Sequence, residues 1–411
     1  MSDKPFASYA ANENHPDYDR LTARRTELYA RPDEVRSPFA RDYTRILHCT
    51  AYRRLKHKTQ VFYNVGNDHI CTRMEHVLHV ESVSGTIAKH LGLNDELTKA
   101  ISMGHDLGHA PFGHQGEMIL SHLCEEHLNE SFWHEKNGLR FVDKIELLED
   151  NYKVSKNLDL TYAVRDGIIS HCGEVDEPVL VPRDRLMNLD EFTTPGQFMP
   201  ATWEGCLVKL ADKIAYVGRD IEDAISLGFL DGHTKAKLLE LARVNDCNVL
   251  NSTVIMHNMI IDVCRESTPD KGIRLSEKFL DQLNIIKRFN TENIYSNERF
   301  QTYKAYTELI INELFRVLMS CECGEHSLEK IQSKCGEYGD LFDLFLEFVI
   351  KYCDEEYIAE LGLADPKGKR SNEKLYGKFD THEIYVRAVI DYISGMTDSF
   401  AIKSFDRLIT F

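Results

Sequence analysis

Apolar residues along this chain recur at steps of three and four far more often than at steps of two. In Thr72–Leu91, His76, Val80, Val83, Ile87 and Leu91 follow steps of 4, 3, 4 and 4 and share one face of a predicted helix. In Trp203–Leu227, the residues Trp203, Leu207, Leu210, Ile214, Val217, Ile221 and Ala224 alternate steps of 4 and 3, a long seam facing a core. Further amphipathic runs fall near 38–56, 115–128, 137–149, 248–265, 300–320, 339–352 and 384–396. Strand-like alternation is scarce, and a stretch such as VLVP supports a small hairpin at most. The pattern predicts an all-α fold.

Two stretches interrupt the helical pattern. Residues 173–201 carry Pro178, Pro182, Pro195, Pro200 and Gly196 and read as a loop between helices. Gly362–Gly377 is polar, contains a KGKR run and reads as a mobile surface loop. There is no internal repeat and no low-complexity tract. The division that follows is an N-terminal arm (1–35), a helical core (36–230) and a helical C-terminal extension packed on the core (231–411).

With 411 residues, 43% of them hydrophobic, the chain can bury a sizeable core without disulfides or metal staples. A bound metal would therefore serve chemistry first. No apolar run approaches the roughly 18 residues that span a bilayer, and the start lacks an apolar signal core. Eleven scattered cysteines without a CxxC pair fit reduced thiols, and together these features predict a cytoplasmic protein with no membrane partner.

A net charge of −17 argues against a general binder of nucleic acid or anionic membrane. The charge is uneven, however. From Arg36 to Arg73 there are eight Lys/Arg (36, 41, 45, 53, 54, 56, 58, 73) against two Asp (42, 68). Histidine clusters beside this basic stretch, with 11 of the 18 between His57 and His134. Solvated helix faces would explain the basic residues alone; next to so many imidazoles they read better as an anion site beside a metal.

The segment Met103–Gln115 reads MGHDLGHAPFGHQ. His105 and Asp106 are adjacent where a helix runs out, with Gly108, Pro111 and Gly113 forcing a turn. Neighbouring helical residues point about 100° apart, so both can reach one ion only at an end or irregularity. Imidazole with carboxylate suits a divalent ion such as Mn, Fe, Mg or Zn. More ligands are needed. His76 lies on the apolar stripe of its helix, where a satisfied core histidine is the commoner occurrence. Asp212, Tyr216 and Asp220 follow at i, i+4 and i+8 on the side of their helix away from the Trp203–Ala224 seam, flanked by Lys209 and Lys213. Periodicity alone leaves this stripe open to being a solvated polar face.

The segments RMEHVLHV, GHDLGHAPFGHQGE, FWHEKNGLR and KLADKIAYVGRDIED, in this order, resemble the HD-domain deoxynucleoside triphosphate (dNTP) triphosphohydrolases, the bacterial dGTPase and dNTPase family. The upstream RSPFARDYTRILHCTAYRRLKHKTQVF and the ending RAVIDYISGMTDSFAIKSFDRL are similar to the family's terminal signatures. The likeness is strong over 36–230 and clear over 380–411. It implies an HD-domain helical core, with metal ligands His76, His105, Asp106 and Asp212. It implies His109, His114 and His134 as active-site histidines, with Glu117 orienting His114. Arg73, Lys213 and Tyr216 match positions that hold the triphosphate, and Gln60 and Asp220 match those that recognise the sugar 3′-hydroxyl. FWHEKNGLR departs from the more usual bacterial FEHNAQSLR, setting Glu135 and Asn137 beside His134.

The implied reaction is hydrolysis at the α-phosphorus, releasing a deoxynucleoside and inorganic triphosphate. A divalent metal would polarise the phosphoryl oxygen, manganese or magnesium being expected first and Fe, Co, Ni or Zn being admitted by the same donors. His114 would protonate the departing 5′-oxygen while His109 and His134 steady phosphoryl charge. The resemblance also implies a homo-oligomer, tetramer or hexamer, and leaves open a second dNTP acting as activator. Two other readings stand beside this one. The first is a different HD phosphohydrolase, a nucleotidase or phosphodiesterase. The second is a non-catalytic nucleotide sensor or single-strand nucleic-acid binder. The joint presence of Gln60, Arg73, Lys213, Tyr216 and Asp220 favours the triphosphohydrolase, and the acidic charge disfavours nucleic acid. The remaining features have plain readings: Met103 as core, and DYISGMTD as a packing element.

Overall fold

The computed structural model describes residues 4–26, 33–63, 67, 69–172, 177–243, 252–363 and 369–410. It is built mostly of helices, and the chain divides into two compact units, each assembled from three stretches. Unit 1 takes Met1–Leu47, Gln60–Asp106 and Leu160–Tyr303, and unit 2 takes His48–Thr59, Leu107–Asp159 and Lys304–Phe411.

The heart of unit 1 is a set of four helices, Arg73–Leu91, Asp95–Gly104, Tyr162–Ser170 and Trp203–Ser226. The first starts in a capping box, where Thr72 accepts from the Glu75 backbone N–H and Glu75 accepts from that of Thr72 at 2.8 Å. It ends at Gly92, whose φ of +87° is the left-handed stop that glycine adopts without strain. Val80, Val83, Ile87 and Leu91 are buried, as the spacing requires, and so is the seam from Leu207 to Ala224 of the long helix. The Asp95–Gly104 and Tyr162–Ser170 helices approach closely: a Cβ on Gly104 would stand 2.9 Å from Ile168, and one on Gly167 would stand 2.6 Å from Ile101. Glycine at these two positions lets the C-terminal ends of the two helices come together. Ser252–Glu266 and Glu277–Asn290 cover the long helix further.

Unit 2 packs the helix His382–Ser394 against Gly113–Leu128 and Leu341–Val349. Around it lies an aromatic core of Phe345, Tyr352, Tyr376, Phe379, Tyr385 and Tyr392. Buried Asp391 receives both guanidinium arms of Arg140, at 2.7 and 2.6 Å, and the Tyr376 hydroxyl at 3.0 Å. The DYISGMTD segment is thus a packing element.

Two predicted elements differ. The amphipathic run 137–149 is not one helix. His134–Arg140 continues as a wider turn over Phe141–Ile145, and Leu147–Glu149 then pairs antiparallel with Val154–Asn157, which pairs parallel with Lys369–Ser371. The break falls at Glu146, whose carboxylate turns back to the Thr50 N–H at 2.7 Å and Arg54 at 2.6 Å. VLVP forms no hairpin, and Leu180 makes a lone bridge to Ile273. The 248–265 run appears as Ser252–Glu266, its first four residues lying outside the described residues. In the proline-rich stretch 173–201, residues 173–176 lie outside them, and the rest carries only the single turn Leu189–Glu191. In 362–377, residues 364–368 lie outside them, and Lys369–Ser371 is the third strand. No described helix is long and apolar enough to cross a membrane.

Candidate metal centre and histidine cluster

All four residues with which the resemblance fills the metal site fall in unit 1, and all four are buried. His76 sits one turn into Arg73–Leu91. His105 is the C-cap of Asp95–Gly104, so that it and Asp106 leave the helix together and escape the 100° divergence of helical neighbours. Asp212 lies mid-way along Trp203–Ser226 on a polar stripe that is buried, not solvated. The His76 Nε2 is 2.9 Å from Asp212 Oδ1, and His105 Nε2 lies 3.9 Å from that oxygen and 3.6 Å from Asp106 Oδ1. Donor atoms of His76, His105 and Asp212 all lie within 4.8 Å of one another, as do those of His105, Asp106 and His171.

Each electrostatic shift here has a nameable cause. Burial disfavours the His76 imidazolium, yet the Asp212 carboxylate beside it overrides burial and raises its pKa. Burial would raise Asp212, but the hydrogen bond and charge of His76, with His105 and His171 behind it, hold the carboxyl well below its usual range. The His105 Nδ1 lies 2.7 Å from the Ser102 carbonyl oxygen, an acceptor only, so Nδ1 carries the proton and Nε2 the lone pair. That buried Nε2 has no hydrogen-bond partner among the described residues. Two imidazoles and two carboxylates, one imidazole presenting an unpartnered lone pair, fit a divalent cation.

The residues matched to substrate recognition also fall in unit 1. Arg73 is buried and gives one arm to Asp106 Oδ2 at 2.9 Å, while its Nε and Nη2 have no hydrogen-bond partner among the described residues. Gln60 Oε1 and Asp220 Oδ1 are likewise buried and unpartnered. Asp220 accepts from the Tyr295 hydroxyl through its other oxygen, and burial pushes its pKa up to about 6. Lys213 is buried and Tyr216 half-buried on the same helix.

The remaining predicted residues belong to unit 2. Their loop is tightly made. A Cβ on Gly108 would fall 2.1 Å from the Gly138 nitrogen, and Asn137 donates to the Gly108 carbonyl at 2.7 Å. Lys58 donates to the His109 carbonyl, and Asp398 accepts from the Phe112 N–H at 2.8 Å and the Thr59 N–H at 2.9 Å. Phe112 is held at φ +66°, a strained value for a side chain of its size. The His109 and His134 rings stack at 3.8 Å. Glu117 accepts from the His134 N–H at 2.9 Å and lies 3.1 Å from His134 Nδ1, against 3.7 Å from His114 Nδ1 and 4.0 Å from His109 Nδ1. Burial would raise Glu117, but the charge of His134, the hydrogen bonds of His114 and His134, and His109 hold it well below the usual carboxylate range. His114 is exposed, at 64% of its side-chain surface. Glu117 was expected to orient His114; its nearest partner is His134. Glu135 is buried, 3.5 Å from His134 Nδ1.

Comparison with known proteins follows the same residues. The HD domain model matches residues 73–217, and a phosphohydrolase-associated domain matches 372–407. A deoxyguanosinetriphosphate triphosphohydrolase-like protein of Caldanaerobacter subterraneus is 31% identical over 375 residues, covering 91% of this chain and 86% of that protein. A Rickettsia conorii protein of the same description is 30% identical over 411 residues, covering 98% of this chain and 97% of its own length. The chain belongs to this HD-domain family. Its HD match opens at Arg73, spans the His76, His105 and Asp106 donors, and closes five residues beyond Asp212. The phosphohydrolase-associated match contains Asp391 and Asp398, which tie the unit 2 segments together. Tyr295, which the sequence did not mark, acts on Asp220 through one long-range hydrogen bond, and Lys58 and Asp398 each make two that join segments far apart in the chain, which no local pattern announces. His171 had a signal: GIISH, like AISMGH, is an apolar helix ending in histidine.

Proposed function

We propose that this HD-family phosphohydrolase cleaves deoxynucleoside triphosphates at the α-phosphorus, releasing a deoxynucleoside and inorganic triphosphate. The observation that carries this reading is the polarity of the unpartnered buried atoms in unit 1. Arg73 presents N–H donors that call for an anionic acceptor, whereas Gln60 Oε1 and Asp220 Oδ1 are acceptors that call for a donor. A nucleotide carries both complements, phosphate oxygens and a sugar hydroxyl, and inorganic phosphate or polyphosphate does not. The names borne by the relatives point to the same chemistry.

His76, His105, Asp106 and Asp212 would hold the divalent cation, manganese or magnesium first. When bound, it would supply Lewis-acid polarisation of the phosphoryl oxygen and activation of water. The protein's own residues do the rest. Arg73, Lys213 and Tyr216 hold the triphosphate as charge-assisted donors. Asp220 accepts from the sugar 3′-hydroxyl and Gln60 completes its recognition, with Tyr295 fixing the Asp220 carboxylate. His114 gives its proton to the departing 5′-oxygen, and His109 and His134 steady phosphoryl charge. Glu117 keeps these imidazoles oriented and favours their cationic forms.

The test is a product assay with each of the four dNTPs, with Mn and with Mg, singly and mixed. Deoxynucleoside and intact triphosphate are expected. Monophosphate with pyrophosphate would mean that the α–β bond breaks in place of the bond to the 5′-oxygen, and would remove the role given to His114. Turnover only of other phosphate esters would make the chain a different HD phosphohydrolase.

A further inference from the structure

We propose that His171 is a fifth protein donor of the metal centre, joining His76, His105, Asp106 and Asp212 around one divalent cation. The proposal deepens the cation reading above and rests on it. Nothing in the motif comparison assigns His171 a role; the geometry within unit 1 does.

His171 is built as His105 is built. Each is the C-cap residue of a short apolar helix, Asp95–Gly104 and Tyr162–Ser170. Each sets its Nδ1 2.7 Å from the carbonyl oxygen three residues back, Ser102 for one and Ile168 for the other. A carbonyl only accepts, so both rings carry a proton on Nδ1, which leaves Nε2 as the atom that would meet a cation. The two rings meet edge to face with centroids 4.9 Å apart. Both are at most 1% exposed. Their meeting is prepared by Gly104 and Gly167, the residues whose missing side chains let the helices close.

A buried histidine can also be a plain core residue, satisfied through one ring nitrogen. Two observations separate His171 from that case. Its donor atom lies within 4.8 Å of donors on both His105 and Asp106, so it stands on the centre's edge and not in the apolar core. His76 and Asp212 form the other triplet that shares His105, so the two triplets overlap at that ring. Five donors spread over two overlapping triplets suit one ion of higher coordination number. That favours Mn, Fe or Co over tetrahedral Zn.

The experiment reads metal binding without nucleotide. Metal-free full-length protein is titrated with Co(II), following the visible d–d bands. Wild type, His105→Ala, His171→Ala and His171→Gln are compared, with circular dichroism as the folding check. Wild type should bind one Co(II), and His105→Ala should lose it. Both His171 variants should bind about 10–100-fold more weakly, the scale set by loss of a tuning partner as a lower bound, with shifted bands. Electron spin-echo spectroscopy of the wild-type Mn(II) form should count three coordinated imidazoles, a readout that needs no variant. Affinity within twofold of wild type with unchanged bands, or two imidazoles by spin echo, overturns the role of His171 and leaves the cation reading intact. A wild type that binds no cation sinks both.

Discussion

The buried donors of unit 1 and the histidine cluster of unit 2 handle charge in opposite ways. In unit 1 the carboxylates and cations are buried with atoms left over: Arg73 keeps two donors unused, His105 a lone pair, Asp220 an oxygen. In unit 2 one carboxylate, Glu117, gathers three histidines and a backbone N–H around itself. Unpartnered buried polar atoms are costly, of order 1–3 kcal/mol each, and are retained where something else supplies the partner. A carboxylate ringed by imidazoles holds its own partners and instead biases their protonation. The first arrangement is suited to receiving a cation and a polar ligand, the second to managing protons.

The sharpest way to break this comparison is to remove one residue from each region. Asp212→Asn should cost more than the roughly 100-fold that an outer partner costs and should strip the cation, visible as loss of bound metal on dialysis. His114→Ala should lower kcat by roughly 10²–10⁴-fold while leaving metal content unchanged. If His114→Ala also empties the centre, or Asp212→Asn keeps both metal and turnover, the division of labour is wrong.

Asp398 offers a smaller effect confined to unit 2. Its carboxylate is buried and holds the Phe112 and Thr59 N–H groups at either end of its reach. Asp398→Ala leaves both donors unpaired and releases a residue held at positive φ, at a cost of about 2–4 kcal/mol in stability. Denaturant unfolding measures this. A loss under about 0.5 kcal/mol would mean that the loop carrying His109 is held by other contacts.

How much of this was legible in the sequence depends on the range of the interaction. Helices were legible because their signal is local: the Thr72–Leu91 and Trp203–Leu227 patterns appear as helices with the expected faces buried. The strands were not, since Leu147–Glu149 continues an amphipathic run and Lys369–Ser371 pairs with a segment more than 200 residues earlier. The polar stripe of Asp212, Tyr216 and Asp220 shows the limit most clearly. Periodicity separates apolar from polar faces, but not exposed polar faces from buried ones, and only the family motifs marked this stripe as functional. His171 escaped because one histidine at a helix end is ordinary until a second helix end, built alike, is found against it.

The two carboxylates also predict opposite responses to pH, which sharpens the comparison. Asp220 titrates near 6 in the folded state, raised by burial against the pull of Tyr295 and His76, with Asp223 pushing further up and Arg73 pulling down. Unfolded, it would titrate near the usual aspartate value of about 3.9. Between these values the folded state binds the proton that the unfolded chain has released. Its contribution is therefore fully present below about pH 4 and is lost as pH rises through about 6. At about 1.36 kcal/mol per pKa unit the loss is roughly 3 kcal/mol, and Asp220→Asn should remove it. Glu117 runs the other way: its pKa is lowered by His134, His114 and His109, so its contribution is present above the usual glutamate range and is lost as pH falls. Unfolding free energies at pH 4 and pH 7 for wild type, Asp220→Asn and Glu117→Gln decide the matter. Asp220→Asn should gain on wild type toward pH 7, and Glu117→Gln should lose on it. Parallel slopes for the two variants would mean that the regions do not differ in how they hold charge.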